Sequence, residues 1–404
     1  MIDCVNPGQK YYLVVEMKKL IIIIMVCIAF KLNGNARKTP YLDRAEYMFQ
    51  KVWNMYRVSK YGLFSEYYPN SYKPNLTYFN DTLKKTQEVS YLWPMSGVFS
   101  ATNVLMELKA DRYKPYQDSM ITAVECYYDD KRLPPGYQAF PERFAKSDRY
   151  YDDNGLVGID YIDAYRTSKN KQYLIKAKQV LVFIQSGWSE DFGGGISWLE
   201  GVRDQKPACS NGKATVLCLK LYQATNDKAF LDQGKLYYNW MMNHLEDDSL
   251  HIIWNSLSTV NGMPSKEFYS YNTGTMIQSS VRLYSITGEK KYLENARRLS
   301  EGSYNYFLKK TAQGVFYIDD LPWFIVVLFR GYQELYEVDN NPKYINAIIA
   351  SADWAWENAR DNVGLIYNDW TGRKDEKKQP KWLLDESCMA ELYARIAIIK
   401  GEMK

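Results

Sequence analysis

Apolar and polar positions along the chain repeat as a series of helix pairs. In each repeat an apolar helix ends, a short polar link follows, and a second helix begins at an aromatic residue. A repeat of this kind is typical of architectures built from one recurring supersecondary unit. The aromatic residues that begin the second helices are Tyr116, Tyr173, Phe230, Tyr292 and Tyr344, spaced 57, 57, 62 and 52 residues apart.

The helix before each link is apolar on most faces, whereas the helix after it carries a polar face. This difference predicts that the first helix of each pair lies inside the protein and the second outside. With an opening helix at Leu42–Val58 as the outer member of the first pair, there are six helices of each kind. We therefore predict an all-α fold, an (α/α)6 barrel of six helical hairpins over residues 37–404. The predicted inner helices are Val89–Leu108, Asn154–Tyr165, Ala208–Tyr222, Asn272–Tyr284, Trp323–Tyr336 and Leu383–Ile399.

Two kinds of connection separate the helices. Short polar links join inner to outer helices, and long loops rich in aromatic residues and glycine lead back to the next inner helix. Long loops gathered at one end of a rigid scaffold usually carry the function, so we expect a ligand site there. Strand-like patterns are confined to these loops, at Gly195–Trp198, Ile252–Trp254 and Gly364–Tyr367.

Two adjacent carboxylates, Asp152 and Asp153, stand where the loop end meets an inner helix. Capping is the ordinary explanation for such a pair, because aspartate is favoured at helix N-termini. Of three comparison pairs, two close outer helices and one precedes an inner helix. This context favours a chemical use for Asp152 and Asp153, and a helix cap or a sugar hydrogen-bond acceptor for Asp320. The comparison pairs are Asp129-Asp130, Asp247-Asp248 and Asp319-Asp320.

Two close carboxyl groups are what a configuration-retaining glycosidase requires. Such an enzyme holds a nucleophile and an acid/base about 5–5.5 Å apart, and repulsion keeps one ionised and the other protonated. The 36 Tyr and 11 Trp are more than a hydrophobic core requires. Aromatic rings that carry a polar group can bind both the apolar faces and the hydroxyls of a sugar. Among them, Trp198 fits a stacking role. The preceding Gly194 and Gly195 allow either close backbone approach to a ligand or a flexible turn.

Charge and metal-ligand residues exclude several classes of protein. The net charge is +4, with 51 basic and 47 acidic residues spread along the chain, so no nucleic-acid footprint is present. Only His244 and His251 exist, and the cysteines lack paired spacing, so we expect no metal site and no cofactor. The cysteines after residue 36, which we expect to be unpaired, are Cys126, Cys209, Cys218 and Cys388.

Four motifs give the chain a resemblance to a known family. In their order, and together with six hairpins, they resemble glycoside hydrolase family 76, the endo-α-1,6-mannanases of bacteria and fungi. The resemblance extends from Tyr41 to Ile399. The motifs are Tyr150–Asn154, Gly193–Trp198, Ser210–Thr215 and Ser270–Ile277, and Leu321–Tyr336 is similar as well.

The resemblance implies a substrate, a reaction and a set of site residues. The substrate would be an α-mannan oligo- or polysaccharide, hydrolysed at α-1,6 bonds by a monomer. The family's consecutive aspartates fall on Asp152 as nucleophile and Asp153 as acid/base. The motifs further imply a substrate-binding role for Tyr151, Asn154, Asn211, Tyr271 and Asn272.

Two other classes of function remain open. One is a different carbohydrate-active enzyme on the same barrel, such as an inverting glycosidase, a lyase or a sugar epimerase. An epimerase would require histidines on inner helices, and His244 and His251 do not lie there. A lyase would require a basic groove, which is not evident in the sequence. The other is a glycan-binding barrel without turnover, although binding alone would not need both aspartates.

The N-terminal region has the pattern of an export signal. Met17-Lys18-Lys19 precede an apolar run, Leu20–Phe30, and a small-residue site follows at Gly34–Ala36. The run is shorter than the about 20 residues of a membrane span, so we expect no stable membrane insertion after cleavage. Residues 1–16 have the character of an upstream extension. The protein would then act in the periplasm, at the cell surface or in the medium.

We predict that the mature chain begins near Arg37, because the signal is complete there and the folding pattern starts only at Tyr41. N-terminal sequencing of exported protein checks this expectation. Soluble exported material that retains Leu20–Phe30 would contradict it.

Overall fold

Twelve α-helices in an inner and an outer layer build the part of the protein that this computed structural model describes, residues 39–72, 88–371 and 379–402. The predicted export signal lies outside these ranges. Within them, no helix is long and apolar enough to cross a membrane. The helices are α1 Tyr41–Tyr56, α2 Leu92–Leu108, α3 Ala110–Glu125, α4 Tyr151–Ser168, α5 Lys171–Gln185, α6 Ala208–Thr225, α7 Lys228–Leu245, α8 Ser270–Thr287, α9 Lys290–Phe307, α10 Pro322–Asp339, α11 Lys343–Asn358 and α12 Leu383–Ile399.

The six inner helices close into a ring. Each of α2, α4, α6, α8 and α10 packs against the next inner helix, and α12 packs back on α2. Nearly all side chains of α2 and α12 are buried, which explains why inner-helix sequences are apolar on most faces. The outer helices α3, α5, α7 and α9 each pack on the inner helix that precedes them. The predicted (α/α)6 barrel is confirmed.

The opening helix α1 departs from its predicted place. It was expected to complete the first pair, but it packs chiefly on α12, the last inner helix. Arg44 of α1 pairs with Asp353 of α11 at 2.8 Å, and the backbone N–H of Leu42 donates to Glu402 at 2.9 Å. The physical reason is closure of the ring, since α1 packs on α12 in the place of an outer partner for that helix. Five hairpins are continuous, and the sixth joins the two ends of the barrel.

Four inner helices end in the same tight turn. The residue after each helix has a positive φ of 55–73°, and its N–H donates to the carbonyl of a tyrosine four residues earlier. This left-handed cap turns the chain within two or three residues, which accounts for the short polar links. The caps are Lys169, Asn226, Gly288 and Asn340.

Short antiparallel strands connect the long loops of the described residues: β1 Arg57–Val58, β2 Leu63–Phe64, β3 Tyr67–Tyr68, β4 Tyr128–Asp129, β5 Gly136–Tyr137, β6 Gln205–Pro207, β7 Trp254–Ser258, β8 Pro264–Phe268, β9 Leu308–Lys310, β10 Phe316–Ile318 and β11 Lys381–Trp382. Strands β6, β7 and β8 form one sheet, and β1–β2, β3–β11, β4–β5 and β9–β10 pair in twos. Of the predicted strand patterns, only Ile252–Trp254 reaches a strand, at its last residue. The other two contribute single bridges, Trp188 with Ile196 and Arg360 with Ile366.

A polar side chain at the fourth position of four inner helices holds the loop that precedes the helix. Each accepts a hydrogen bond from a backbone N–H of that loop, at 2.7–3.1 Å. The long loops are thereby fixed at one end of the barrel, over the N-termini of the inner helices. The pairs are Asn154 with Tyr137, Asn211 with Ile196, Thr273 with Ile253, and Glu386 with Ile366.

Replacing Asn211 should destabilise the protein. Its amide also donates to the carbonyls of Ile196 and Pro207 at 2.9 and 2.8 Å, so Asn211→Ala leaves several buried backbone groups unpaired. We expect the free energy of unfolding, measured by urea denaturation, to fall by about 3 kcal/mol. Asn305→Ala on the exposed face of α9 is the control and should change it by less than about 0.5 kcal/mol. Equal, small effects would contradict the loop-holding role.

Candidate active site

The second residues of five inner helices share one cavity at the loop end of the barrel. The cavity has a volume of about 280 Å³. Second and fourth positions of a helix lie about 200° apart around its axis. The second residue therefore faces the centre of the ring when the fourth faces a loop. The five residues are Trp93, Asp152, Cys209, Tyr271 and Trp323.

Both predicted catalytic aspartates line this cavity. Asp152 and Asp153 lie in the first turn of α4, where backbone N–H groups and the helix dipole favour a negative charge. The N-cap position belongs to Tyr150, which makes no side-chain capping bond. The two aspartates thus do not occupy the capping position that was their ordinary explanation.

A buried lysine accompanies the pair. The Lys213 ammonium lies 3.7 Å from Asp152, and its side chain is only 5% exposed. It also lies over the rings of Trp323 and Tyr271, at 5.4 and 5.8 Å. Lys213 stands one helical turn after Cys209 on α6, so it faces the same cavity. Lys213 belongs to the motif Ser210–Thr215 but was predicted no role; the signal in the sequence was a lysine inside an apolar helix, which Lys220 shares.

The two carboxyl groups have different environments. Burial raises the pKa of Asp153 well above its ordinary value, the negative charge of Asp152 raises it further, and Lys213 opposes both in part. The ammonium of Lys213 meanwhile stabilises a negative charge on Asp152. The arrangement favours an ionised Asp152 beside a protonated Asp153, one group able to attack and the other able to donate a proton.

Aromatic rings form the walls of the cavity. Trp198 and Tyr150 pack against each other on one side, with ring centroids 5.0 Å apart. Tyr271 and Phe324 pack at 4.3 Å on another, and Trp93 continues the wall. The structure therefore places two predicted substrate-binding residues, Trp198 and Tyr271, in the cavity. Rings with a few polar groups among them suit a ligand with apolar faces and hydroxyls.

Four predicted substrate-binding residues lie away from the cavity. Tyr151 is buried and stacks on Phe183 at 4.9 Å. The side-chain amides of Asn154 and Asn211 form hydrogen bonds with the backbone of the preceding loops. Asn272 is fully buried, outside the cavity lining. For Asn154 and Asn211 the physical reason is helix geometry, because both occupy the fourth position, which faces a loop.

The two predicted glycines support their own loop rather than a ligand. Gly194 and Gly195 have φ values of 121° and 101°. A Cβ at Gly195 would lie 2.7 Å from the Trp240 ring, and one at Gly194 would lie 2.4 Å from the Trp188 ring. Neither glycine lines the cavity. They are needed because the loop passes directly over two indoles.

Asp320 lies beside a neighbouring cavity of about 430 Å³. One of its carboxylate oxygens accepts from the backbone N–H and hydroxyl of Ser270, at 2.9 and 2.8 Å. The other accepts from the N–H of Leu321 at 2.9 Å. These bonds satisfy the start of α8, so the structure favours the capping alternative for Asp320.

The metal-binding residue types are dispersed among the described residues. They contain no group of three or more His, Cys, Asp or Glu that could hold a metal ion. His244 stacks on Trp240 in the outer helix α7, and His251 lies beside Arg298, both away from the cavity lining. The four cysteines after residue 36 carry no disulfide.

Sequence comparison places the barrel in a family. The profile of glycosyl hydrolase family 76 matches residues 43–394. A mannan endo-1,6-alpha-mannosidase from Saccharomyces cerevisiae is 22% identical over 276 residues, which is 64% of this chain and 58% of that protein. The chain thus spans little more than half the length of this curated relative.

Solved structures resemble the barrel closely. A glycoside hydrolase family 76 mannosidase from Bacteroides thetaiotaomicron has a TM-score of 0.80 and 28% identity, covering 90% of this chain and 100% of that chain. An α-1,6-mannanase from a Salegentibacter species has a TM-score of 0.71 and 21% identity, covering 89% and 99%. That structure is an inactive variant, with two consecutive aspartates replaced by asparagine, in complex with α-1,6-mannotriose.

Asp153→Asn should stabilise the protein near neutral pH. Because folding raises the pKa of Asp153, the folded state binds more protons, and stability falls as the pH rises above the ordinary value of 3.8. The uncharged asparagine removes that loss. In calorimetry the variant should melt above the wild type at about pH 7, by about 2 °C for each kcal/mol, and the gap should close toward about pH 3.5.

Asp152→Asn is the matched control for this measurement. It should not stabilise the protein, because it leaves the buried ammonium of Lys213 without its carboxylate. A stabilised Asp152→Asn beside an unchanged Asp153→Asn would reverse the assignment of the two environments.

Proposed function

The chain belongs to glycosyl hydrolase family 76, and we propose that it is a retaining glycoside hydrolase that cleaves α-1,6-mannosidic bonds of mannan-type glycans. The observation that carries the proposal is the adjacent pair Asp152 and Asp153 in an aromatic cavity, with the ammonium of Lys213 3.7 Å from Asp152. The substrate follows from the relatives, a mannan endo-1,6-alpha-mannosidase and an α-1,6-mannanase seen with mannotriose.

The proposed reaction has two steps: Asp153 gives up a proton in the first and takes a different one, from water, in the second. Asp152 attacks the anomeric carbon while Asp153 gives its proton to the departing glycosidic oxygen, which leaves a mannosyl ester on Asp152. Asp153, now ionised, takes a proton from water, and that water displaces Asp152. Two displacements return the original configuration.

Lys213 supports the ionised forms of Asp152 on this path. Its charge stabilises the carboxylate before attack and again when the ester is cleaved. Burial works in the opposite sense on Asp153, since it favours the protonated acid needed for the first step. The inactive Salegentibacter variant, which lacks two consecutive aspartates, supports the assignment of a consecutive pair.

The aromatic walls give the cavity its preference for sugar rings. Tyr150 packs against Trp198, and Tyr271 against Phe324, and all four rings line the cavity that holds the carboxylates. Such faces pack against the C–H surfaces of a pyranose while its hydroxyls reach polar groups. No metal or organic cofactor enters the proposed steps. We also propose that the enzyme acts after export, on the strength of the signal pattern at residues 17–36.

Hydrolysis of debranched α-1,6-mannan tests the function. The wild type should release reducing ends, and chromatographic sizing of the products distinguishes internal from terminal cleavage. Proton NMR of the first product should show the α-anomer. An initial β-anomer would contradict retention, and binding of mannan without release of reducing ends would leave a glycan-binding barrel.

Substitutions of the two aspartates should reduce activity in different ways. Asp152→Asn should abolish turnover of every substrate, because no ester forms. Asp153→Ala should slow mannan by about 10²–10⁴-fold but slow an activated aryl mannoside much less, since its leaving group needs little protonation. Azide should then yield a mannosyl azide of retained α configuration. Azide rescue of the Asp152 variant instead, or equal losses on both substrates for the Asp153 variant, would overturn these roles.

A further inference from the structure

The indole of Trp382 extends the aromatic lining beyond the edge of the catalytic cavity. Trp382 is the N-cap residue of α12. The N-cap residues of α4, α6 and α8 are Tyr150, Pro207 and Tyr269, and all three line the cavity. Trp382 lies just outside, edge to face with the cavity residue Trp93 at 5.2 Å. The ring of N-cap positions therefore continues from the cavity onto the rim.

A buried carboxylate fixes the orientation of the Trp382 indole. Its indole N–H donates to the carboxylate of Glu66 at 2.7 Å. Glu66 is 4% exposed and also accepts from the N–H of Tyr91 at 2.8 Å. Because the polar edge of the indole is held inside the protein, the ring offers its apolar surface to the outside. Strand pairing of β11 with β3 holds the backbone at the same place.

Tyr67 continues this surface along the rim. It pairs with Trp382 across β3 and β11, and the two rings are nearly parallel, 18° apart with centroids at 6.4 Å. Both side chains are partly exposed. Trp93, Trp382 and Tyr67 thus form an unbroken series of rings that leads outward from Asp152 and Asp153.

We propose that Trp382 and Tyr67 form a rim subsite that binds a further mannosyl unit of the α-1,6-mannan chain. The inference rests on the proposed function and extends it, because it makes the enzyme select long chains. A 1,6-linkage has an additional rotatable bond, so ordering the chain costs conformational entropy. The indole of Trp382, already fixed by Glu66, binds a sugar face without first having to be ordered.

A second rim position offers a matched control. Tyr306 is 43% exposed and packs edge to face on Phe268 at 5.1 Å. Both line the neighbouring cavity beside Asp320, on the side of the site bounded by Tyr269. Tyr306 is thus an aromatic residue at another edge of the site, and it packs on Phe268 instead of on Trp93.

Calorimetric binding of α-1,6-mannotetraose and α-1,6-mannobiose tests the proposal. The titrations use the Asp152→Asn protein, so the sugars stay intact and the result does not depend on turnover. Adding Trp382→Ala should weaken tetraose binding roughly tenfold, the loss expected for one aromatic contact of about 1.4 kcal/mol. It should change biose binding by less than about twofold. Adding Trp382→Phe, which keeps a ring, should stay within about threefold for tetraose, and adding Tyr306→Ala should leave both sugars unchanged.

Several outcomes would overturn the rim subsite. One is an equal loss of affinity for tetraose and biose in Trp382→Ala, and another is a Trp382→Phe protein that binds tetraose as weakly as Trp382→Ala. A loss of tetraose affinity in Tyr306→Ala instead, or no tetraose binding by the Asp152→Asn parent, would also overturn it. Melting temperatures within about 3 °C of the parent would show that the fold is intact, and a larger drop with parallel losses for both sugars would count against the subsite. Failure of the proposed function is seen separately, as a wild type that releases no reducing ends from mannan.

Discussion

Where each inner helix begins decides where its side chains point, and the whole loop end of the barrel depends on this. With α4 starting at Tyr151, its second residue faces the axis and its fourth faces a loop. The same division holds in α6, where Cys209 reaches the cavity and Asn211 holds a loop. About half a turn of helix thus separates the groups that meet a ligand from the groups that build the rim around it.

The barrel was predictable from the sequence, but the inward direction of individual residues was not. The repeated tyrosines and polar links predicted the inner and outer helices, because each tyrosine precedes a left-handed cap that ends a helix. The predicted start of α4, however, was Asn154 instead of Tyr151. Three residues correspond to about 300° of rotation, so a small error in the boundary reassigns every side chain. Asn154 was expected in the site because it belongs to the motif Tyr150–Asn154, and it is found holding a loop.

Long-range partners were a second limit of the sequence. The position of Lys213 in an apolar helix indicates that its side chain is buried. It does not show which carboxylate the ammonium group pairs with. Its partner Asp152 belongs to a different hairpin, and only the ring of inner helices brings α4 and α6 into contact. The aspartate pair lowers the stability of the folded protein, because burial opposes a negative charge on Asp153. Packing elsewhere in the barrel must offset this loss. In return, a poorly hydrated cavity strengthens every electrostatic interaction within it.

The joining of the two ends of the barrel has a consequence for how the chain folds. The helix α1 packs on α12, and β3 pairs with β11, so the first segments of the barrel find their partners among the last. A chain is synthesised from its N-terminus, and α1 therefore stays without its main neighbour until α12 has emerged. Contacts so distant in sequence also slow folding, because a long loop must close before they form. The ring of inner helices therefore closes only after α12 has been made, and until then the first segments of the barrel lack their partners.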